Sequence, residues 1–340
     1  MKKKLCITAA AVLALALCLT GCAEKLDGKE TVAVMDETNI PLAEVNLLIR
    51  YQQGQMESYY GGMLGGSVYS FDLDGDGVVD GELARESSME LFEEMYVLEA
   101  EAPNYGVELT EEEQAAITEA AKAFMEANAD KEVKEVLAVA EEDVAHLLEL
   151  LTLNEKMYAV MTSDVNVEVS DEEAAQKKVS YLYFSTRTTD ADGNSTVKEG
   201  EELEAVREKA EGVLENIKSG MTLEEAGTAI EMTPYTFTYD DETEMFPDDV
   251  RPLVDELGEG EYSEVLESQY GFYVVYMESL MDPEATAEKK AAIVEEKKMA
   301  AFDEQVTALK EAHSFEVKEE VLSKVTFDRI ITLKAEETAE

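Results

Sequence analysis

Hydrophobic residues in the first half of the chain recur with the helical period of about 3.6 residues. The pattern predicts one short strand and four helices, and a capping box formed by Thr110 and Glu113 marks the start of the third helix. In chain order these are a strand over 31–35 and helices from Pro41, over 89–98, from 111 to about 128, and over 133–161. An apolar face of the last helix carries Val144, Leu147, Leu148 and Leu151. This half therefore predicts a helical lobe.

The pattern changes near Ser170, where β-branched and aromatic runs begin to alternate with amphipathic segments. Thr222 and Glu225 form a second capping box within this region. The predicted order is a strand over 179–185, helices over 200–219 and from Leu223, a strand over 235–239, a helix over 247–257 and a strand over 271–278. This order predicts a small α+β domain.

The helical period returns between residues 286 and 313, where Met299, Phe302, Val306 and Leu309 form an apolar stripe. A single amphipathic helix must bury such a stripe against another element. We expect the partner to be the N-terminal helical lobe, since that lobe ends at Met161 without a closing element. The stretch 315–333 then mixes a short helix and a strand.

The predicted fold class is therefore α+β, with a helical lobe into which a small α+β domain is inserted. The predicted domains are a signal peptide over 1–21, the first part of the helical lobe over 22–168, the α+β domain over 169–281, a helix and strand completing the lobe over 282–333, and a charged tail over 334–340.

The N-terminus has the composition of a secretory signal. Lys2, Lys3 and Lys4 precede an apolar run over 5–19, which is shorter than the roughly 20 residues that span a bilayer. The run ends in Leu19-Thr-Gly-Cys22, which resembles the bacterial lipobox. That resemblance implies a lipid anchor on Cys22 and an extracytoplasmic protein held on the bacterial cell membrane. The alternative is an ordinary signal peptide in which Cys22 is incidental.

Composition excludes one class of partner. The chain has 28 basic and 77 acidic side chains, which give a formal net charge of −49. Such a surface repels a phosphate backbone, so nucleic acid is not expected to bind. The other two cysteines, Cys6 and Cys18, lie in the signal segment, and no disulfide is therefore expected after its removal.

Two motifs of the α+β domain carry a resemblance to a known family. They are Leu257-Gly-Glu-Gly-Glu-Tyr-Ser263 and Gln269-Tyr-Gly-Phe-Tyr-Val-Val-Tyr276, and they accompany Val179-Ser-Tyr-Leu-Tyr183 at the first strand. The domain resembles parvulin-type peptidyl-prolyl isomerases, and the whole chain resembles the PrsA-like and SurA-like foldases. The resemblance implies a SurA-like helical chaperone lobe around an inserted parvulin-like domain, with unfolded secreted polypeptides as partners and no required cofactor.

The same resemblance assigns site positions. Parvulins commonly carry two histidines, and these positions hold Tyr181 and Tyr273 here. The position of the usual cysteine or aspartate falls near Met232. The residues implied for peptide binding are Phe246, Val250 and Phe272. Loss of both histidines removes the polar organisers of the site, so isomerase activity is expected to be weak or lost.

Three functions stay open at this point. The first is a membrane-tethered chaperone or foldase with little turnover. The second is a catalytically active prolyl isomerase, because lowering a rotation barrier of about 18–20 kcal/mol needs mainly desolvation and twisting of the amide. The third is a non-catalytic scaffold or solute-binding lipoprotein.

An acidic stretch between helices resembles an EF-hand loop. Asp72, Asp74, Asp76 and Asp80 stand at positions 1, 3, 5 and 9, but position 12 is Leu83 and not a glutamate. The stretch predicts a weak calcium site, and the alternative is an acidic turn. The only histidines, His146 and His313, are far apart and are expected to be structural, with His146 on a solvated helix face. No zinc site or catalytic triad is predicted.

Overall fold

The computed structural model describes residues 15–18, 26–64, 67–73, 75, 77–189 and 195–333. The chain divides into two compact units, the first made of residues 1–165 and 299–340 and the second of residues 166–298. One unit is rich in helix and the other mixes helices with an antiparallel sheet. The predicted α+β fold class, with a domain inserted into a helical lobe, is confirmed.

The first unit is built mainly from helices. Its N-terminal elements are β1 (Leu15–Cys18), β2 (Thr31–Met35), β3 (Thr38–Pro41), α1 (Leu42–Leu64), α2 (Asp80–Glu101), α3 (Glu111–Ala127), α4 (Lys131–Leu137) and α5 (Glu141–Met161). The predicted capping box at Thr110 is present, because the Glu113 N–H donates to the Thr110 hydroxyl at 3.2 Å and the Thr110 N–H to the Glu113 carboxyl at 2.8 Å.

The C-terminal part of the chain completes this unit. It supplies the end of α9 (Pro283–Lys310), followed by β10 (Phe315–Val317), α10 (Glu319–Leu322) and β11 (Ile330–Leu333). β10 pairs with β2, which pairs with β3, and β11 pairs with β1, all antiparallel. The main apolar core mixes residues from both ends of the chain: Val32, Ile40, Ile49, Phe92, Leu150, Val321, Val325, Phe327 and Ile331.

The apolar stripe of α9 packs as expected, with one exception. Phe302 and Val306 are buried in a cluster with Leu98 and Met157 of the first unit. Met299 is 47% exposed and lies outside that cluster. The predicted partner of the stripe is therefore confirmed for its central residues, and the assignment of Met299 to the buried face is wrong.

The predicted long helix over 133–161 is two helices, α4 and α5. The chain breaks at Ala138, whose φ is 53°. The buried Asn46 side chain ends α4 by donating to the carbonyls of Val136 at 2.9 Å and Leu137 at 2.7 Å. The Asp143 carboxyl then accepts the Ala140 N–H at 2.7 Å and starts α5. A residue distant in sequence thus makes the break. The register of α5 also differs, since Leu150 is fully buried and Leu151 is 41% exposed.

The second unit contains a four-stranded antiparallel sheet with strand order β7-β4-β9-β8. Its elements are β4 (Lys177–Ser185), β5 (Arg187–Thr189), β6 (Ser195–Val197), α6 (Glu201–Lys218), α7 (Leu223–Thr228), β7 (Tyr235–Tyr239), α8 (Arg251–Asp255), β8 (Leu266–Glu267) and β9 (Gly271–Ser279). Helices α6 and α7 cover one face of the sheet, where Leu182, Phe184 and Val274 pack against Val213 and Ile217.

The two ends of the inserted segment lie together within the second unit. The Asp282 N–H donates to the Gln176 carbonyl at 2.7 Å, and the Gln176 N–H donates to the Thr286 hydroxyl at 3.1 Å. Contacts divide the chain at 165/166 and 298/299, and the second division falls inside α9. The boundaries predicted at 168/169 and 281/282 stay predictions.

His146 is not on a solvated face, contrary to expectation. Its Nδ1 lies 2.8 Å from Glu44 and its Nε2 lies 3.1 Å from Glu99, while the Tyr96 hydroxyl donates to the second oxygen of Glu44 at 2.7 Å. Hydrogen bonds with Glu44 and Glu99 raise the pKa of His146 to about 10. The imidazole is therefore protonated at neutral pH and ties α1, α2 and α5 together. His313 likewise lies between Asp36 and Glu101.

We expect His146→Gln to lower the free energy of unfolding by about 1.5–3 kcal/mol at pH 6, the range for hydrogen bonds to charged groups. The folded pKa of about 10 exceeds the unfolded value of about 6.5. The stabilisation is therefore complete below about pH 6.5 and is lost as the pH rises towards 10. Urea unfolding of both proteins, followed by circular dichroism from pH 6 to 10, measures this difference. A difference that stays constant over that range would contradict the assignment.

Removal of residues 284–340 is expected to unfold the first unit. Each large apolar side chain of the shared core contributes about 1.5–3 kcal/mol, and a domain's net stability is only about 5–15 kcal/mol. Replacement of residues 170–281 by a short Gly/Ser linker is the matched control and should leave a folded helical unit. Circular dichroism and thermal melting distinguish the outcomes. Cooperative melting of the truncated chain, or collapse of the chain with the linker, would show that the domains are arranged in series.

Candidate functional site

An aromatic surface covers the sheet face of the second unit opposite α6 and α7. Side chains alternate between the two faces of a strand, so residues two apart on β4 and on β7 share a face. We call this surface the aromatic face; it comprises Tyr181, Tyr183, Tyr235, Phe237, Phe246 and Tyr273. Tyr181 and Tyr235 are cross-strand partners and stack with ring centroids 5.4 Å apart.

The centre of the aromatic face brings together three residues from separate parts of the chain. The ring centroid of Tyr181 lies 5.5 Å from that of Phe246 and 6.0 Å from that of Tyr273, and Phe246 and Tyr273 are also 6.0 Å apart. Tyr181 is partly exposed, whereas Phe246 and Tyr273 are each 8% exposed. Val250 is fully buried in the same cluster. Four of the site residues predicted from sequence therefore lie in one cluster: Tyr181, Phe246, Val250 and Tyr273.

Arg251 holds the loop that carries Phe246. Its guanidinium donates to the carbonyls of Thr243 at 2.6 Å and Asp240 at 2.8 Å, and to the Asp255 carboxyl at 2.7 Å. The Arg251 guanidinium carbon also lies 4.6 Å from the ring centroid of Tyr239, a cation–π geometry. With its donors fixed on two carbonyls and one carboxyl, Arg251 acts as a positioning residue for the aromatic face.

The tyrosines of this face are not suited to acid–base work at neutral pH. Burial is the largest cause that raises the pKa of Tyr273 to about 12, and burial also raises the pKa of Tyr181. Both hydroxyls stay protonated near pH 7. The sequence contains no histidine or cysteine between residues 166 and 298. The site can therefore offer ring faces and hydroxyl donors, but no imidazole or thiolate.

Two predicted site residues lie elsewhere. Phe272 is 1% exposed on the opposite face of β9, among Leu182, Phe184 and Val274, with the Arg207 guanidinium carbon 4.7 Å from its ring centroid. Phe272 therefore does not share a face with Tyr273, because neighbours in a strand face opposite sides, and its assignment to peptide binding stays a prediction. Met232 packs against the same helix-covered cluster and does not join Tyr181 and Tyr273.

Sequence reasoning missed Tyr183, Tyr235 and Phe237. The signal was present, because Tyr181 and Tyr183 alternate on β4, as do Tyr235, Phe237 and Tyr239 on β7. What the sequence lacked was the pairing register, which places Tyr181 opposite Tyr235. Once that register is known, the alternation predicts the whole aromatic face.

The acidic loop is held by its own backbone. The Asp72 carboxyl accepts the Gly75 N–H at 2.7 Å and the Gly77 N–H at 3.0 Å, and Asp80 begins α2. Gly75 and Gly77 have φ values of 80° and 96°, which favour glycine. Asp74 and Asp76 lie outside the described residues. Within the described ranges, no three His, Cys, Asp or Glu side chains are placed to hold a metal ion.

Cys22, the predicted lipid carrier, also lies outside the described residues. Among the helices that the structure describes, none combines the length and apolar character required to cross a membrane.

Comparison with protein-family models gives no match, and neither does comparison with curated proteins. Solved structures do match. The foldase protein PrsA of Lactococcus lactis is 13% identical, covers 87% of this chain and 99% of its own, and has a TM-score of 0.33. PrsA of Bacillus subtilis is 16% identical, with coverages of 84% and 93% and a TM-score of 0.24. A structure described with the SurA-like chaperones of Campylobacter jejuni is 13% identical, with coverages of 85% and 99% and a TM-score of 0.29. These names are those of the family that the sequence resembles.

Calcium at about 0.1–1 mM, the range of extracellular modules, is expected to raise the melting temperature of the full chain. The physical reason is that carboxyl groups spaced along 72–80 lose their mutual repulsion when they share a cation. Asp74→Asn should reduce the shift, which differential scanning calorimetry measures. Magnesium is the matched control, since an equal shift with magnesium would indicate general screening of the −49 net charge.

Proposed function

We propose that this protein is an extracytoplasmic, membrane-tethered chaperone that binds unfolded secreted polypeptides, with a parvulin-like unit whose isomerase activity is weak or lost. The observation that carries the proposal is the aromatic face, in which Tyr181 and Tyr273 occupy the positions where the resemblance expects histidines. Their rings lie 6.0 Å apart beside Phe246.

The aromatic face suits apolar and proline-containing segments. Proline has no N–H to donate, so its ring is recognised through apolar contact, and aromatic rings supply large contact areas at low cost in side-chain entropy. Contacts between ring faces and apolar side chains are insensitive to the sequence of the ligand. A surface of this kind therefore fits a protein that binds many unfolded clients and does not select one.

Weak turnover follows from the same geometry. Isomerisation requires the enzyme to lower a barrier of about 18–20 kcal/mol while the amide loses its conjugation. The partly exposed Tyr181 ring and the accessible edge of Phe246 offer apolar surface that would desolvate the amide, with Val250 packed beneath them, which favours residual activity. The tyrosine hydroxyls stay protonated and, unlike histidine, do not change charge near neutral pH. Binding is therefore expected to exceed catalysis.

The acidic surface also fits a chaperone that must stay soluble while it binds apolar chains. With 77 acidic side chains against 28 basic ones, copies of this protein repel each other. Unfolded clients can then be held without co-aggregation of the chaperone.

The aromatic face is tested with a proline-containing peptide, a client-refolding assay and one exposed residue. Tyr235 is 58% exposed and stacks on Tyr181, so Tyr235→Ala removes binding surface without opening a core. We expect peptide affinity to fall up to about tenfold, since aromatic pairs contribute about 0.5–1.5 kcal/mol. Suppression of client aggregation should weaken with it. Tyr59→Ala, on an aromatic side chain that is 78% exposed in the other unit, is the matched control.

The catalytic arm of the same experiment uses Tyr181→His with Tyr273→His. We expect slow isomerisation of a proline peptide by the wild type and faster turnover by the double variant. High wild-type activity would establish the active isomerase instead. A wild type that neither binds the peptide nor suppresses aggregation would favour the scaffold or solute-binding alternative.

The lipid anchor is a separate part of the proposal and rests on the lipobox resemblance. Cys22→Ala is expected to release the protein from membranes or leave it unprocessed, because Cys22 supplies the only thiol of that motif and its nucleophile. Mass spectrometry of the mature N-terminus measures the modification. An unmodified N-terminus that begins after Cys22 would contradict the anchor.

A further inference from the structure

Strand β11 is held along one edge by side chains of a helix and not by another strand. The buried Glu57 carboxyl accepts the Ile331 N–H, and the Ser58 hydroxyl accepts the Leu333 N–H at 2.7 Å. The Gln53 amide donates to the Arg329 carbonyl at 2.7 Å. The residues of α1 thus satisfy one edge of β11.

The helix contacts leave the other edge of β11 available for strand pairing. Backbone groups of successive residues in a strand point to opposite edges. Since Ile331 and Leu333 point their N–H groups at α1, Ile330 and Thr332 present theirs to the opposite edge. In the full-length chain this edge is where β1 pairs, with Leu15 opposite Leu333 and Cys18 opposite Ile330.

The segment that pairs with this edge, β1, is short and apolar. β1 reads Leu-Ala-Leu-Cys and belongs to an apolar run that contains no charged residue from 5 to 19. Strand addition of this type gains affinity from main-chain hydrogen bonds, which any extended segment can make.

We propose that the edge of β11 that faces away from α1 is a strand-acceptor site for extended apolar polypeptide segments, and that residues 15–18 of this chain occupy it in the full-length protein. Gln53, Glu57 and Ser58 hydrogen-bond the edge of β11 that faces α1. They therefore position the strand before a segment pairs with its other edge. Removal of the leader would open it to a client segment, a step that rests on the proposed function. It would then be a second client-binding site, within the first unit.

Disulfide trapping in the full-length chain tests the pairing. In a chain with Cys6, Cys18 and Cys22 replaced by serine, Leu15→Cys and Leu333→Cys form a directly opposed pair. A pair of this type has its Cα atoms about 4.5 Å apart, within the range of disulfides. We expect an intramolecular disulfide on mild oxidation, and none for the off-register control with Leu15→Cys and Ile330→Cys. Equal trapping of both pairs, or a disulfide-linked dimer that shows β11 pairing with a second copy, would overturn the proposal.

A backbone variant and a competing peptide test the acceptor role. Thr332→Pro removes an N–H on the proposed edge and should reduce trapping several-fold, whereas Thr332→Ser, which keeps both the N–H and the hydroxyl, should not. A synthetic peptide of residues 13–20, with serine for cysteine, should compete with the leader. The same peptide with N-methyl groups on alternate amides should not compete. Failure of the unmethylated peptide to compete, or equal competition by both peptides, would overturn the site.

The aggregation assay on the same protein separates this site from the proposed function. Peptide competition without suppression of client aggregation would leave the acceptor site standing and would contradict the chaperone proposal. Suppression of aggregation without peptide competition would contradict only the acceptor site.

Discussion

The first unit depends on one constraint, which is that the two ends of the chain share a single apolar core. Val321, Val325 and Phe327 from the C-terminal segment pack with Ile40 of β3 and Phe92 of α2. Burial of each such side chain contributes about 1.5–3 kcal/mol, a large part of a domain's net stability. The Glu57 carboxyl, which accepts the Ile331 N–H, adds a polar contact between the same two segments.

This constraint explains why the second unit is an insertion. The inserted segment leaves and returns side by side, as the Gln176–Asp282 hydrogen bond shows. Its sheet covers one face with α6 and α7 and keeps aromatic rings on the other. In the functions proposed above, the aromatic face of the second unit would contact client side chains and the β11 edge of the first unit would pair with a client backbone.

Local signals in the sequence predicted much of this structure, and contacts between distant residues account for what it missed. The capping boxes at Thr110 and Thr222 involve neighbours three residues apart, and both are confirmed. The break at Ala138 depends on Asn46, which lies far away in sequence, and the ion pairs of His146 depend on Glu44 and Glu99, which lie on other helices. Alternation along β9 could have excluded Phe272, but only the strand register completes the aromatic face.

Native-state hydrogen exchange of the full chain, followed by mass spectrometry, tests the shared core most directly. Amides that open together exchange with one common free energy. If the two ends share one core, the core amides of α1 and those of 315–331 exchange with the same opening free energy and respond equally to low urea. Strand amides of β4 and β9 should form a separate group. Exchange of 315–331 at a clearly lower opening free energy, while α1 stays protected, would contradict the shared core.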